Sequence, residues 1–262
     1  MIKKIAAISI AFLFIITLTA CGTDGAINVN PSAESSQTTT DNTTETTEHR
    51  PSPLSAGEVF ALLSQSTVEI NCSYVFNSES STTTSCTGVF IDTAGTIMTN
   101  YSTLNGCDFD SWTSVTAITY DGKEYAVNSV KGYNKEHDII ILATSATNTT
   151  PIQIRTTSAQ TGEKIYLLSV VDAKQGLTIT EGIVSYGDKT TNGVSYIQHT
   201  APITYYSAGG PLVDEYGSVI GIARLKPNRT ESFDLAIPIS QATSIEQNMD
   251  LTIAEFLQLA RG

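Results

Sequence analysis

Histidine is scarce in this sequence: His49, His137 and His199 are the only three in a chain of 262 residues. No H-x-x-x-H or C-x-x-C spacing occurs. The usual zinc frameworks are therefore excluded, and neither a metal nor a cofactor is expected. Basic residues are few as well. Against 26 Asp and Glu stand 14 Lys and Arg, a net charge of −12. A body of that sign argues against nucleic acid and anionic lipid headgroups as partners. Hydrophobic residues still make up 40% of the chain, enough for one large all-β domain or two small ones.

An apolar run, Ile5–Leu18, follows Lys3 and Lys4. It is too short and too early for a lasting transmembrane helix, so residues 1–20 read as a secretion leader. The run closes in Leu18-Thr19-Ala20-Cys21-Gly22, which resembles a bacterial lipobox. The resemblance implies cleavage before Cys21 and a diacylglyceryl group on its thiol. It also implies a protein anchored to a membrane face outside the cytoplasm, not spanning it. Residues 21–54 then read as a tether. Ser35–Glu48 is almost entirely Ser, Thr, Asn, Asp, Gln and Glu. It has nothing to bury, is expected to be disordered, and supplies reach. His49 falls beside it as a solvated residue.

Ser55-x-x-Glu58 is a capping box, so a short helix is expected from Ala56 to Leu63. Val68, Ile70, Cys72 and Tyr74 then alternate with polar residues, as a half-buried strand does. Thr87–Asp92 and Thr96–Thr99 are further strands, with a turn at Ala94-Gly95. Ser114–Tyr120, Asp121-Gly122 and Glu124–Val127 form a hairpin signal. Strand-like runs recur to Ile239, and Ile245–Leu259 reads as a closing helix packed through Leu251, Phe256 and Leu259. This spacing, with few helical signals, predicts an all-β barrel or sandwich.

The stretch that organises the rest is Thr200–Leu212, T-A-P-I-T-Y-Y-S-A-G-G-P-L. Two adjacent glycines after a bent loop allow positive φ and close backbone approach. It resembles the nucleophile loop of trypsin-like serine proteases, G-N/D-S-G-G-P. Gly209, Gly210, Pro211 and Leu212 match. Thr87–Asp92 and Ile97–Leu104 resemble S-G-F-x-I-D and I-V-T-N-x-H-V-V/I of the HtrA type of that family. Asn134–Leu142 is similar to D-x-x-x-D-L/I-A-V/L-L. Gly162–Leu168, Thr178–Tyr186 and Ser232–Ile239 fit V-G-D-x-V-x-A-I-G, V-x-x-G-I-V/I-S and N-F-A-I-P-I. The likeness runs from about Ala56 to Ile239, and no PDZ-sized segment is expected beyond it.

The resemblance implies a trypsin-like double β-barrel over residues 55–242, with barrels at about 55–150 and 151–242. Short helices flank it, the second within residues 243–262. It implies that Ser102 stands at the histidine position, Ala208 at the nucleophile and Asp138 at the orienting aspartate. The oxyanion-hole region becomes Tyr206, Ser207 and Ala208, with Tyr206 replacing a glycine. Peptide hydrolysis needs an activated hydroxyl, a base in reach and aimed donors. Ala208 has no nucleophilic atom, and Ser102 accepts no proton near neutral pH. His137 neighbours Asp138 but points to the opposite face of an extended chain. Ser207 and His199 are the displaced pair that a weakly active enzyme would use.

The expected function is a lipid-anchored pseudoprotease that binds an extended peptide or partner protein. Strand addition would occur along Ile222, Ala223, Arg224 and Leu225. Tyr205 and Tyr206 would either stack on the ligand or block the cleft. A weakly active endopeptidase and a purely structural surface domain are the alternatives. Outside the cytoplasm a disulfide is expected among Cys72, Cys86 and Cys107. The resemblance to animal trypsins favours Cys86–Cys107; a cross-strand Cys72–Cys86 bond is the alternative.

Overall fold

The capping box at Ser55 closes as its sequence requires. Ser55 N and Oγ donate to Glu58 Oε2 at 2.8 and 2.7 Å, and Glu58 N donates to Ser55 Oγ at 3.4 Å. The helix it starts, α1 (Ala56–Leu63), buries Val59 and Leu63. The computed structural model describes residues 52–77, 80–105, 112–171, 176–191, 193–226 and 233–261. The leader, Cys21, nearly all of the tether and Cys107 lie outside the described residues.

Six antiparallel strands follow α1: β1 (Thr67–Asn77), β2 (Ser80–Phe90), β3 (Thr96–Thr99), β4 (Trp112–Thr119), β5 (Glu124–Asn134) and β6 (Ile139–Thr144). The short α2 (Tyr101–Asn105) separates β3 from β4. The sheet runs β5-β4-β1-β2-β3-β6 and closes because β5 also pairs with β6. The β4–β5 turn is the Asp-Gly hairpin expected, with Gly122 at φ 81° and its N–H donating to Thr119 O at 2.8 Å. A second closed barrel comprises β7 (Lys164–Val170), β8 (Leu177–Thr191), β9 (Val194–His199), β10 (Pro211–Asp214), β11 (Val219–Arg224) and β12 (Asp234–Pro238). The fold is an all-β trypsin-like double barrel.

Alternation along the strands divides the apolar residues among three cores. On β6, Ile140 and Leu142 fill the first barrel, while Ile139 and Ile141 face the seam with the second. On β7, Tyr166 and Leu168 join that seam, while Ile165 and Leu167 fill the second barrel. Each fully buried isoleucine contributes about 1.5–3 kcal/mol. Strands so placed have no solvent face. β1 shows this against its half-buried expectation: Val68, Ile70 and Cys72 face the first core, yet Thr67, Glu69 and Asn71 are buried too.

The C-terminal helix is shorter than expected. Over Ile245–Leu259 the chain first forms β13 (Leu251–Thr252) on the edge of β5, then α4 (Ile253–Arg261). Thr252 and Glu255 form a second capping box: Thr252 N donates to Glu255 Oε2 at 2.8 Å, and Glu255 N to Thr252 Oγ1 at 3.2 Å. Phe256 and Leu257 are buried, whereas Leu259 is 54% exposed, so Leu257 takes the packing role expected of Leu259. α3 (Ile239–Ala242) joins β12 to this tail.

Register also bears on the cysteines. Cys72 faces Thr84 and Cys86 faces Ile70. The two cysteines are thus diagonal neighbours, about 7–8 Å apart in such a ladder, against a usual disulfide span of about 4.4–6.8 Å. The Cys72–Cys86 alternative has no support in the register. The Cys86–Cys107 pairing involves a residue outside those described.

Candidate functional site

Thr204 opens a single 3-10 turn, Tyr205–Ser207, by accepting Ser207 N at 3.2 Å. The turn swings Ser207 inward. It is 1% exposed, and its Oγ donates to Ser169 Oγ at 3.1 Å and lies 2.9 Å from Thr204 Oγ1. Ala208 follows with its methyl buried. Gly209 then takes φ 84°, and a Cβ there would stand 2.1 Å from Thr87 O and 2.2 Å from Thr99 Oγ1. The glycine is required because the loop is pressed against β2 and the end of β3. Gly209 N donates to Ala223 O at 3.0 Å, and Gly210 N to Ser207 O at 2.9 Å. The N–H groups of Ser207, Gly209 and Gly210 are therefore spent within the fold rather than aimed at one external point.

Thr87 binds this loop to the first barrel. Its N–H donates to Ala208 O at 3.0 Å and its hydroxyl to Tyr206 O at 2.7 Å. Thr99 Oγ1 in turn donates to Thr87 O at 2.7 Å. Three residues on, Ser102 sits on α2 and reaches Asp138, which precedes β6. Ser102 N donates to Asp138 Oδ1 at 2.7 Å, and Ser102 Oγ to Oδ2 at 3.1 Å. The backbone of Asp138 is fixed as well: Tyr101 N and Asn100 Nδ2 both donate to its carbonyl at 3.1 Å. Asp138 holds φ 55°, a strained conformation that these contacts maintain.

A further residue completes the cluster. Arg224 Nε donates to Asp138 Oδ2 at 3.2 Å. Its guanidinium lies over the Tyr196 ring, 5.1 Å from the centroid, and Nη1 donates to Tyr196 Oη. Asp138 is 4% exposed. Burial pushes its carboxyl above the ordinary range; the Ser102 hydrogen bonds and the Arg224 charge oppose that and do not fully cancel it. The motif reading placed Arg224 on the peptide edge and missed this contact. An arginine after Val219–Ala223 could have signalled a buried acid as its partner, since an ion pair stabilises a partly desolvated guanidinium.

The displaced candidates do not assemble. The Asp138 carboxylate is held by Ser102 and Arg224, while His137 is tied by its backbone N–H to Asn134 Oδ1 at 2.9 Å. His199 is fully buried in β9, its ring near the backbone of Leu235 and Ala201 but without a well-formed hydrogen bond at either nitrogen. Ser207 is bound to Ser169 and Thr204 instead. Burial pushes the His199 pKa down from 6.5 to about 4, with Asp234 opposing. A depressed histidine favours the neutral folded form. Stability is therefore fully present above 6.5 and falls as the pH drops through that window. The loss attributable to His199 is expected to be about 2 kcal/mol by pH 5. Urea unfolding at pH 7.5 and 5.0 checks it: His199→Leu should lose about that much less stability between the two pH values than the parent chain.

The expected binding edge is narrower than Ile222–Leu225. Ile222 and Ala223 are buried, and Ile222, Ala223 and Arg224 pair with Ile237, Ala236 and Leu235 of β12. On the loop side Ala223 is already occupied, donating to Gly210 O at 2.8 Å and accepting from Gly209 N. Backbone groups alternate sides along a strand. The next residue to face that side is Leu225, which is half-buried.

Residues 86–222 match the trypsin-like peptidase domain. The chain belongs to that family. Among its relatives are the serine endoprotease DegS of Salmonella typhimurium, 29% identical over 60% of this chain and 46% of that protein. Serine protease HTRA1B of Danio rerio is 30% identical over 65% of this chain and 36% of that protein. The chain thus spans about half or less of the length of the curated relatives it matches. A serine endoprotease from Yersinia pestis shares the fold with a TM-score of 0.59 at 24% identity, over 74% of this chain and 66% of that one. An HtrA-type protease solved with a tripeptide gives 0.62 at 21%, over 73% and 62%. The fold is HtrA-type serine protease-like.

Proposed function

We propose that this domain is a pseudoprotease: a lipid-anchored binding module that keeps an HtrA-type frame without its chemistry. The observation that carries the reading is the Asp138 carboxylate, committed to Ser102 and Arg224 instead of an imidazole. Ala208 adds a methyl where a nucleophile would stand, and the Ser207 N–H is spent on Thr204 O. The remaining capacity is strand addition beside Leu225, with the ring of Tyr205, 56% exposed, at the mouth of the loop. A tripeptide occurs with one of the structural relatives, which fits an extended peptide as the ligand class. Cys21 carries the lipid in this reading and holds the domain outside the cytoplasm.

The purified leaderless chain is expected to leave casein and fluorogenic peptides uncut, with Ser207→Ala making no difference. Turnover abolished by Ser207→Ala would replace this reading with that of a weak endopeptidase. Extended peptides from a random library should bind, and Leu225→Pro, which removes one edge N–H, should weaken binding about tenfold. A chain that binds no peptide at all would leave only a structural body. Metabolic labelling with palmitate, lost in Cys21→Ala, tests the anchor.

A further inference from the structure

Glu69 lies on the face of β1 turned away from the first core, opposite Thr87 of β2 and Ile118 of β4. It is 7% exposed, and its Oε1 has no hydrogen-bond partner among the described residues. A cavity of about 250 Å³ opens on it, walled by Ile118, Tyr120, Val170, Gly176 and Leu177. Lys123, the hairpin's own lysine, is held by Asp121 at 2.8 Å. Lys164 of the second barrel is held by Glu181 at 3.0 Å. The buried Oε1 lacks a donor, and neither of these lysines supplies one.

We propose that this pocket binds a primary alkylammonium group, the chemistry of a lysine side chain or a small free amine. An ammonium presents compact charge and three donors to one carboxylate. Its alkyl stem lies along Ile118, Val170 and Leu177, as such stems lie on apolar walls. Tyr120 stands at the rim, its ring set edge-to-face against Phe60 at 5.6 Å. A guanidinium is planar, with five donors, and finds one carboxylate. A calcium or magnesium ion needs about six oxygens, and this wall supplies far fewer. Thr87, the register partner of Glu69, holds the carbonyls of Tyr206 and Ala208. The pocket therefore sits one strand from the nucleophile loop, and its assignment stands whether or not that loop is catalytically inert.

The test is amide chemical-shift mapping on the isotope-labelled leaderless chain. Titration with n-butylammonium should give saturable shifts at Glu69, Val170, Gly176 and Leu177, and n-butanol should not. Glu69→Gln should weaken binding at least about tenfold with a dispersed spectrum retained. If that variant unfolds, Leu177→Trp, which fills the cavity from its rim, should abolish binding instead. Binding of acetyl-Gly-Lys-Gly-amide as well as butylammonium identifies a lysine side chain; butylammonium alone identifies a free amine. The proposal is overturned if n-butanol shifts the same amides, or if both variants bind as the parent does. It is also overturned if the parent chain gives no saturable shifts with n-butylammonium.

Discussion

Arg224→Met is expected to destabilise the fold by about 3–5 kcal/mol, because it leaves a buried carboxylate without its cation. Asp138 keeps its two Ser102 hydrogen bonds in that variant. They satisfy the oxygens but neutralise no charge. Asp138→Asn with Arg224→Met should therefore recover most of the loss, since a neutral amide no longer needs the guanidinium. The sign with pH follows from the upward displacement of Asp138 by burial. A carboxyl whose folded pKa is raised binds protons that the unfolded chain has already released. Its contribution is fully present below the ordinary 3.8 and is lost as pH rises through the window above it. The Arg224→Met deficit should accordingly shrink on acidification from pH 7 to pH 4.5. Urea unfolding of both single variants and the double gives the coupling directly. A loss under about 1 kcal/mol, with additive singles, would mean that the Arg224–Asp138 contact is an exposed ion pair of little consequence.

Much of this arrangement could be read before any coordinates. Ser55-x-x-Glu58 announced α1, and Asp121-Gly122 announced the β4–β5 hairpin, because both are local devices whose geometry is set by neighbouring residues. The pairing of Ser102 with Asp138, 36 residues apart, was legible only through motif order. For Arg224 the sequence signalled at most a buried acid, and not which one. Its partner lies in another barrel, and a strand-terminal arginine reads equally well as a surface residue. Ser207 was open to misreading for a related reason: the 3-10 turn that buries it depends on Thr204 and Ser169 rather than on the glycines that mark the loop. Thr252-x-x-Glu255 is a different failure. The capping box was present in the sequence, but the apolar spacing from Ile245 overrode it and started the helix eight residues early. Burial of Glu69 was hidden because alternation reports which face looks inward. It does not report that a second barrel covers the other face.

The retained glycines are held in place by packing. Gly209 cannot be spared even in an inert chain, since its Cβ would strike Thr87 and Thr99. Gly-Gly-Pro persistence is thus a packing requirement and says nothing of activity. Ser102→His with Ala208→Ser is therefore expected to give no measurable hydrolysis, although both missing atoms are returned. The obstacle is Arg224, whose Nε shares Asp138 Oδ2 with the Ser102 hydroxyl that the imidazole would replace, and whose charge opposes the imidazolium that must form there. An imidazole not held in the right tautomer by its aspartate loses about 10,000-fold in rate. Adding Arg224→Ala should raise turnover of a peptide ester by up to about 1,000-fold over the double variant. The product will remain a poor enzyme, because Tyr206 stands where the family has the glycine that lends an oxyanion N–H, and a missing oxyanion donor costs about 100- to 1,000-fold. Tyr206→Gly as a fourth change should recover part of that by freeing the backbone there. Ester turnover, with covalent labelling of position 208 by a fluorophosphonate, measures each step. A double variant as fast as the triple would show that the guanidinium is no obstacle, and the account of Asp138 as a carboxylate diverted from catalysis to an ion pair would be abandoned.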